Sequence, residues 1–374
     1  MIKRLFDIQN LVKPGKVLVI YGPRRVGKTT LLKDFLSRTK LKYKLDSGDS
    51  IRTQEIFNSQ LFNEILPYSE GYELIAIDEA QQIKNIGMGL KILVDQAPGL
   101  IIVATGSSSF ELSQQVGEPL TGRKRTITLF PFSQQELLSI YNQHELKERL
   151  EEFLIFGSYP DVITAKSRDE KIDVITEIVN SYLLKDILSL EKIRGTKQIL
   201  DLLKMIAFQV GKEVSLNELA SQVKLDVKTV GKYLDLFEKT FILHKRSSFS
   251  RNLRKEIATK SKYYFLDNGI RNGVILQFNK LSDRNDSGEL FENFFVMERL
   301  KYLSNNSIYR NLYFWRTYDG QEIDLVEEGE GRLLGLEVKY SPKAKLKKIK
   351  SFTGIYDNSS IELVSKDNYL NYLI

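Results

Sequence analysis

Short β-branched and aliphatic runs alternate with helical stretches over the first third of the chain. Val17–Tyr21, Tyr43–Asp46, Leu74–Ile77, Ile101–Ala104 and Thr126–Leu129 read as strands, with helical spacing between them. Near-continuous apolar strands separated by helices predict a buried parallel sheet covered on both faces, with its chemistry on the loops at the strands' C-terminal ends. Residues from Gln135 to about Lys204 read as mostly helical, interrupted at Phe156-Gly157-Ser158-Tyr159-Pro160. From about Gln198 to Leu266 three helical patterns precede a strand pair. Asp226 is a good cap for the third helix, and Leu219, Val223, Val227, Val230, Leu234 and Phe237 recur at helical spacing across a tight connection. That is the pattern of a helix-turn-helix followed by a wing. The last segment predicts a helix through Leu290–Phe294 and strands at Leu312–Thr317, Glu322–Glu327 and Leu333–Tyr340. The expected organisation is an α/β core over residues 1–135, a helical connection or lid over 136–197, a winged helix over 198–266 and a second α/β domain over 267–374.

The 374 residues allow more than one sizeable core, and 42% hydrophobic with 28% charged residues excludes a mainly disordered or low-complexity chain. With no Cys there are no disulfides, thiolate zinc sites or cysteine nucleophiles, and 2 His leave almost no material for a histidine metal site or triad. Catalysis must run on carboxylates, Lys, Arg and hydroxyls. No apolar run approaches the roughly 18 to 20 residues that span a bilayer and no secretory h-region opens the chain, so no membrane partner and a cytoplasmic location are expected. The net charge of +7 is uneven: residues 1–165 hold 20 Lys+Arg against 19 Asp+Glu, and 166–374 hold 35 against 29. An acidic polymer such as DNA would prefer the second part, although a solvated basic surface explains the same numbers.

Gly22-Pro23-Arg24-Arg25-Val26-Gly27-Lys28-Thr29 fits G-x-x-x-x-G-K-[ST], after a strand and before a helical stretch that begins with Thr30. The glycines let backbone N–H groups converge on the β- and γ-phosphates of ATP, Lys28 offers them a cation, and the Thr29 hydroxyl ligates Mg²⁺. The strand Leu74–Ile77 then delivers Asp78 to the same Mg²⁺ and Glu79 as general base for an attacking water, a pair that argues for hydrolysis rather than transfer to a substrate hydroxyl. Another strand ends in Ala104-Thr105-Gly106-Ser107-Ser108-Ser109, where Thr105 or Ser107 would sense the γ-phosphate or merely cap a turn. Arg123, in Leu120-Thr121-Gly122-Arg123-Lys124-Arg125, would reach a phosphate in its own subunit or, in a homo-oligomer, a neighbour's.

The order of Lys28, Asp78-Glu79 and the Thr105–Ser109 strand end resembles the P-loop ATPase domain of the AAA+ type. With Leu120-Thr121-Gly122-Arg123, Gly157-Ser158-Tyr159-Pro160 and the C-terminal segment, essentially the whole chain looks like a widespread prokaryotic family that pairs an AAA-type ATPase with a C-terminal domain of unknown function. Ser158 stands where that likeness leads one to expect a second Gly. The resemblance implies ATP binding and hydrolysis, a winged-helix middle and a nuclease-like end.

Two further constellations bear on partners. His244–Lys262 carries Lys245, Arg246, Arg251, Arg254, Lys255, Lys260 and Lys262 against Glu256 alone, and Lys228, Thr229, Lys232 and Tyr233 lie on or near the exposed face of the third helix, so the wing and helix would contact DNA unless the module is a plain packing unit. Asp324, Glu337-Val338-Lys339 and Glu292 on the preceding helix resemble the core of PD-(D/E)xK, restriction-endonuclease-like domains, with Ile323 where that pattern has Pro. Glu337 and Lys339 share one strand face, and a turn at Glu328–Gly331 folds Asp324 back against them. Such a group, with Glu292, Asp324 and Glu337 on one Mg²⁺ and Lys339 beside the water, would cut a phosphodiester; a nuclease-derived ion cluster without activity is the alternative. Six Lys from Lys339 to Lys350 suit a polyanion or an exposed helix face equally. Tyr313 and Trp315 read as core, and His144 and His244 as non-catalytic. Three functions stay open: an ATP-driven switch acting on DNA, an ATP-regulated nuclease, and an adaptor ATPase acting on a protein partner.

Overall fold

The computed structural model describes residues 2–107, 119–183, 196–250, 261–317, 319–346 and 350–374. Two compact units divide the chain, one built on Arg4–Phe130 and the other on Pro131–Glu238 with Ile242–Ile374. The three segments expected beyond residue 135 share the second unit.

In the first unit β1 (Val17–Tyr21), β2 (Tyr43–Ser47), β3 (Leu74–Asp78), β4 (Ile101–Gly106) and β5 (Lys124–Thr128) form one parallel sheet in the order β2-β3-β4-β1-β5. The helices Lys28–Arg38, Ile51–Ser59, Phe62–Ser69 and Ile86–Gln96 connect the strands. β1 is buried at every position and β3 at all but its last, as their unbroken apolar sequence requires. The expectation of burial fails for β2 and β5. They lie at the two sheet edges, where one flank has no strand, and much of each remains exposed. Register sets Tyr21 beside Gly106 and Thr128, and Ser47 beside Asp78, so the C-terminal ends of all five strands line one rim.

The second unit begins with short helices between Gln134 and Glu177. The helices Thr196–Phe208, Leu216–Val223 and Val227–Lys239 follow, with an antiparallel sheet of β6 (Glu213–Val214), β8 (Ser261–Phe265) and β7 (Leu243–Arg246) in that order. Asp226 caps the third of these helices, accepting bonds from Thr229 N at 2.8 Å and Thr229 Oγ1 at 2.6 Å. Val227 and Tyr233 exchange the places expected of them: Val227 is 40% exposed on the first turn, while Tyr233 is buried.

A helix over Ser287–Asn305 precedes a four-stranded sheet, β12-β11-β10-β9, made of β9 (Asn311–Arg316), β10 (Glu322–Gly329), β11 (Arg332–Lys339) and β12 (Ser359–Ser365). β9, β10 and β11 are antiparallel neighbours and β12 joins β11 in parallel. Glu330 and Gly331, both at positive φ, make the two-residue turn that returns β11 against β10. Trp315 is buried edge-to-face on Phe352, with ring centroids 5.2 Å apart. The segment after β7 lies along the outer edge of β9: Phe314 N donates to Ser247 O (3.1 Å) and Phe249 N to Phe314 O (2.6 Å). This covers an edge strand and draws the start of the expected wing into the C-terminal sheet.

The Gly157–Pro160 stretch gains its reason here. A Cβ on Gly157 would lie 1.9 Å from Asp267 Oδ1, and Ser158 N donates to Asp267 Oδ2 at 2.8 Å. Ser158 is also used through its hydroxyl, which accepts from Lys301 Nζ at 3.2 Å, a role the expected glycine could not fill.

Candidate functional site

The loop after β1 is shaped by what a side chain would strike. Gly22 has φ 148° and a Cβ there would lie 2.1 Å from Leu129 O; Arg25 and Gly27 also take positive φ. The helix Lys28–Arg38 then starts with no side-chain cap, so its first N–H groups face the loop. Lys28 is 4% exposed and its Nζ donates to Gly22 O and Pro23 O, each at 2.9 Å, folding the ammonium over the loop. Arg4, which carried no motif signal, braces the loop by donating to Val26 O and Phe130 O. Thr30 is exposed on the first helical turn.

The rim of the sheet supplies the acids. Asp78 Oδ2 accepts from Thr29 Oγ1 at 2.8 Å, and Asp78 Oδ1 from Thr105 Oγ1. Glu79 holds φ 50° and ψ 40°, a left-handed backbone unusual for a residue with a side chain, and its N–H donates to Thr105 Oγ1 at 3.2 Å. Gly48 lies so close beneath that a Cβ there would approach Glu79 O to 2.2 Å. Gln81, unsignalled in the sequence, donates to Glu79 Oε2 and accepts from Ser107 N at 3.2 Å. Thr29, Asp78, Thr105, Glu79, Gln81 and Ser107 thus form one hydrogen-bonded series beside the loop. The Thr29 hydroxyl and the Asp78 carboxylate lie side by side, a donor set that fits a hard divalent cation next to phosphates.

One expectation is corrected here and one gains its surroundings. Thr105 is fully buried, and its hydroxyl bonds both Asp78 and Glu79 N. Arg123 precedes β5, where its O accepts from Val17 N at the start of β1, and its Nε binds Asp95 at 2.6 Å. In a parallel sheet that is the rim opposite the phosphate loop, out of reach of a phosphate in its own subunit. Ser108 and Ser109 lie outside the described residues.

A second candidate is a cavity of about 660 Å³ in the second unit, lined among others by Lys212, Glu289, Glu292, Glu322, Asp324, Glu337 and Lys339. The hairpin turn brings Asp324 and Glu337 together as expected: Asp324 Oδ2 accepts from Val338 N at 2.8 Å and from Lys339 Nζ at 3.1 Å, and Lys339 pairs with Glu337 Oε1 at 3.6 Å. Glu292 Oε1 accepts from Tyr264 Oη at 2.7 Å and from Lys262 Nζ at 3.4 Å, while Lys262 also pairs with Glu322 Oε1 at 2.5 Å. Burial, then the Asp324 carboxylate, pushes Glu292 up to about 7. Burial pulls Lys262 down, but Glu292, Glu322 and Asp324 outweigh it and hold the ammonium above its ordinary value.

Among the described residues no three acids or histidines are grouped to hold a metal ion, Glu292, Asp324 and Glu337 included, and Lys262 and Lys339 pair with these carboxylates. The expected basic face also changes. Arg246 and Lys262 are buried, Lys228, Lys232 and Lys245 are exposed, and Arg251, Arg254, Lys255, Lys260, Lys347 and Lys348 lie outside the described residues. His244 is held neutral, mainly by burial and then by Arg246, and His144 is exposed beside Glu148. No described helix is long and apolar enough to cross a membrane.

Comparison with known proteins finds three matched regions, one in the first unit and two in the second. Residues 14–138 match the family described as an AAA domain, 147–282 a domain of unknown function (DUF8612) and 287–372 a further domain of unknown function (DUF4143). An uncharacterized protein of Methanocaldococcus jannaschii is 25% identical over 350 residues, 88% of this chain and 76% of its own. One of Haemophilus influenzae is 28% identical over 303 residues, 74% of each chain, and one of Mycobacterium tuberculosis 26% over 327 residues, 86% of this chain and 70% of its own. The AAA match supports an AAA-type ATPase family for the first unit.

Proposed function

We propose that the first unit binds and hydrolyses ATP with Mg²⁺ and that the chain works as a nucleotide-driven switch. The observation that carries this is the hydrogen-bonded series Thr29–Asp78–Thr105–Glu79 beside the Gly22–Lys28 loop. Lys28 would exchange the Gly22 and Pro23 carbonyls for phosphate oxygens, gaining charge-assisted bonds where it now has neutral ones. Thr29 and Asp78 would hold Mg²⁺, which supplies positive charge against the β- and γ-phosphate oxygens. Glu79 would take the proton of the attacking water, and Gln81 and the Thr105 hydroxyl keep it in place.

For the second unit we favour an output role on DNA, through a winged-helix module over 198–266 and a restriction-endonuclease-like domain over 267–374. Exposed Lys228, Lys232 and Lys245 support phosphate contacts. An adaptor acting on a protein partner is the second reading, favoured by burial of Arg246 and Lys262 and by the exposed apolar Leu216 and Val227. Cleavage by Asp324, Glu337 and Lys339 is the weakest, given the ammonium groups among the carboxylates.

The test is ATP binding and turnover by the full chain with Mg²⁺, with and without duplex DNA. Lys28→Ala should lower turnover by about 100-fold or more. Unchanged affinity and turnover would remove the proposal, and turnover indifferent to DNA would shift the output to a protein partner.

A further inference from the structure

The cavity in the second unit holds its own cations. Its strands come from two sheets: β10 and β11 bring Glu322, Asp324, Glu337 and Lys339, while β8 of the three-stranded sheet brings Lys262. Lys262 is 1% exposed, its Nζ lies 2.5 Å from Glu322 Oε1 and 3.4 Å from Glu292 Oε1, and the ring of Phe314 is centred 5.3 Å away. A lysine so buried persists only where carboxylates repay its lost hydration, and here two share it. Lys339, more exposed, bridges Asp324 and Glu337 at the other end.

Together the two ammonium groups and their neighbours occupy Glu292 Oε1, Glu322 Oε1, Asp324 Oδ2 and Glu337 Oε1, oxygens that a hard divalent cation would need. Each carboxylate keeps a second oxygen, and that of Glu337, Oε2, is buried without a hydrogen-bond partner. A buried carboxylate oxygen without a donor is an acceptor open to a divalent ion once the repelling charge of the Lys262 ammonium is removed.

We propose that Lys262 is a tethered counter-cation that takes the place of a divalent ion in this cavity, so that the native chain admits no Mg²⁺ or Mn²⁺ there and loss of Lys262 alone turns the cavity into a divalent-cation site. The idea concerns the second unit and stands whether or not the first hydrolyses ATP. Removing one positive charge leaves Glu292, Glu322, Asp324 and Glu337 with Lys339 and, 3.9 Å from Glu322 Oε2, Arg316 as their cations, an excess of negative charge on carboxylates of which Glu292, Asp324 and Glu337 are largely buried. Lys262 is then the residue that decides the cavity's cation selectivity, and it lies on β8, outside the Asp324–Lys339 hairpin.

The test is a Mn²⁺ titration of the nucleotide-free full chain carrying Thr29→Ala, followed by the paramagnetic resonance signal of free Mn²⁺, with and without Lys262→Met. The expected result is no saturable site in the parent and one new site in Lys262→Met, at least about tenfold tighter than any parental binding and lost again when Glu337→Gln is added. Equal binding by parent and Lys262→Met, or no gain in the variant, overturns the proposal. Should Lys262→Met fold only when Mn²⁺ is present, as read by near-ultraviolet circular dichroism, the ion is standing in for the ammonium and the proposal holds. A variant that Mn²⁺ neither binds nor restores contradicts it.

Discussion

At the scale of single residues, the phosphate-loop unit turns on hydroxyls and glycines placed where nothing else fits. Thr105 is the clearest case, since one buried Oγ1 donates to Asp78 and accepts from Glu79 N. Thr105→Val keeps the shape and removes both bonds, leaving a buried N–H unpaired. It should lower stability by about 1–3 kcal/mol in urea unfolding and reduce kcat for ATP while leaving the KM little changed; an unaltered kcat would mean that the acids hold their places without it. The loop was legible because its residues are contiguous and its glycines are demanded by the backbone itself, at Gly22 and Gly27. Gln81 and Arg4 were not, because a Gln after an acidic pair and an N-terminal Arg acquire meaning only when a strand end or a loop carbonyl is brought beside them. Arg123 cannot reach its own subunit's phosphate site for a reason available beforehand: a residue that precedes a parallel strand lies at the rim away from the loops that follow the strands.

At the scale of elements, the second unit is joined by charged side chains at helix ends. Asp286, just before the helix Ser287–Asn305, accepts from Arg271 Nη1 at 2.6 Å and from Arg284 Nε at 2.8 Å. Burial alone would raise its carboxyl, but the Arg284 hydrogen bond and the Arg271 charge prevail and bring it down to about 2. A carboxyl depressed on folding contributes stability that is complete above its unfolded value, near 4, and is lost as the pH falls through its folded value, near 2. Asp286→Asn should therefore cost about 1–2 kcal/mol at neutral pH, after allowance for partial exposure, and the gap to wild type should narrow to about half by about pH 3 and close below about pH 2. A gap of undiminished size at pH 2 would assign the loss to packing. The strands of both sheets were mostly legible from β-branched and aliphatic runs. β12 was not, since Ser359–Ser365 alternates weakly and gains its place only by parallel pairing with β11. The hairpin that joins Asp324 to Glu337 was legible from spacing, while the approach of Lys262 from another sheet was not.

At the scale of the whole molecule, net charge and local charge part company. The sequence places most of its basic excess beyond residue 165, and there Lys262, Arg271, Arg299 and Lys301 are buried against Glu322, Asp286, Glu327 and Glu298. Each such pair removes one charge of either sign, so the excess remains on the surface while the basic stretch from His244 to Lys262 loses Arg246 and Lys262 as phosphate contacts. A linear charge count predicts attraction for a polyanion but not where it would touch. The central claim belongs to the first unit: the proposal that Glu79 takes the proton of the attacking water in ATP hydrolysis. Single-turnover hydrolysis by Glu79→Gln, with ATP affinity measured on the same protein, tests it most directly. The account predicts ATP binding within about threefold of wild type and cleavage slowed by about 100-fold or more; hydrolysis at the wild-type rate would contradict it.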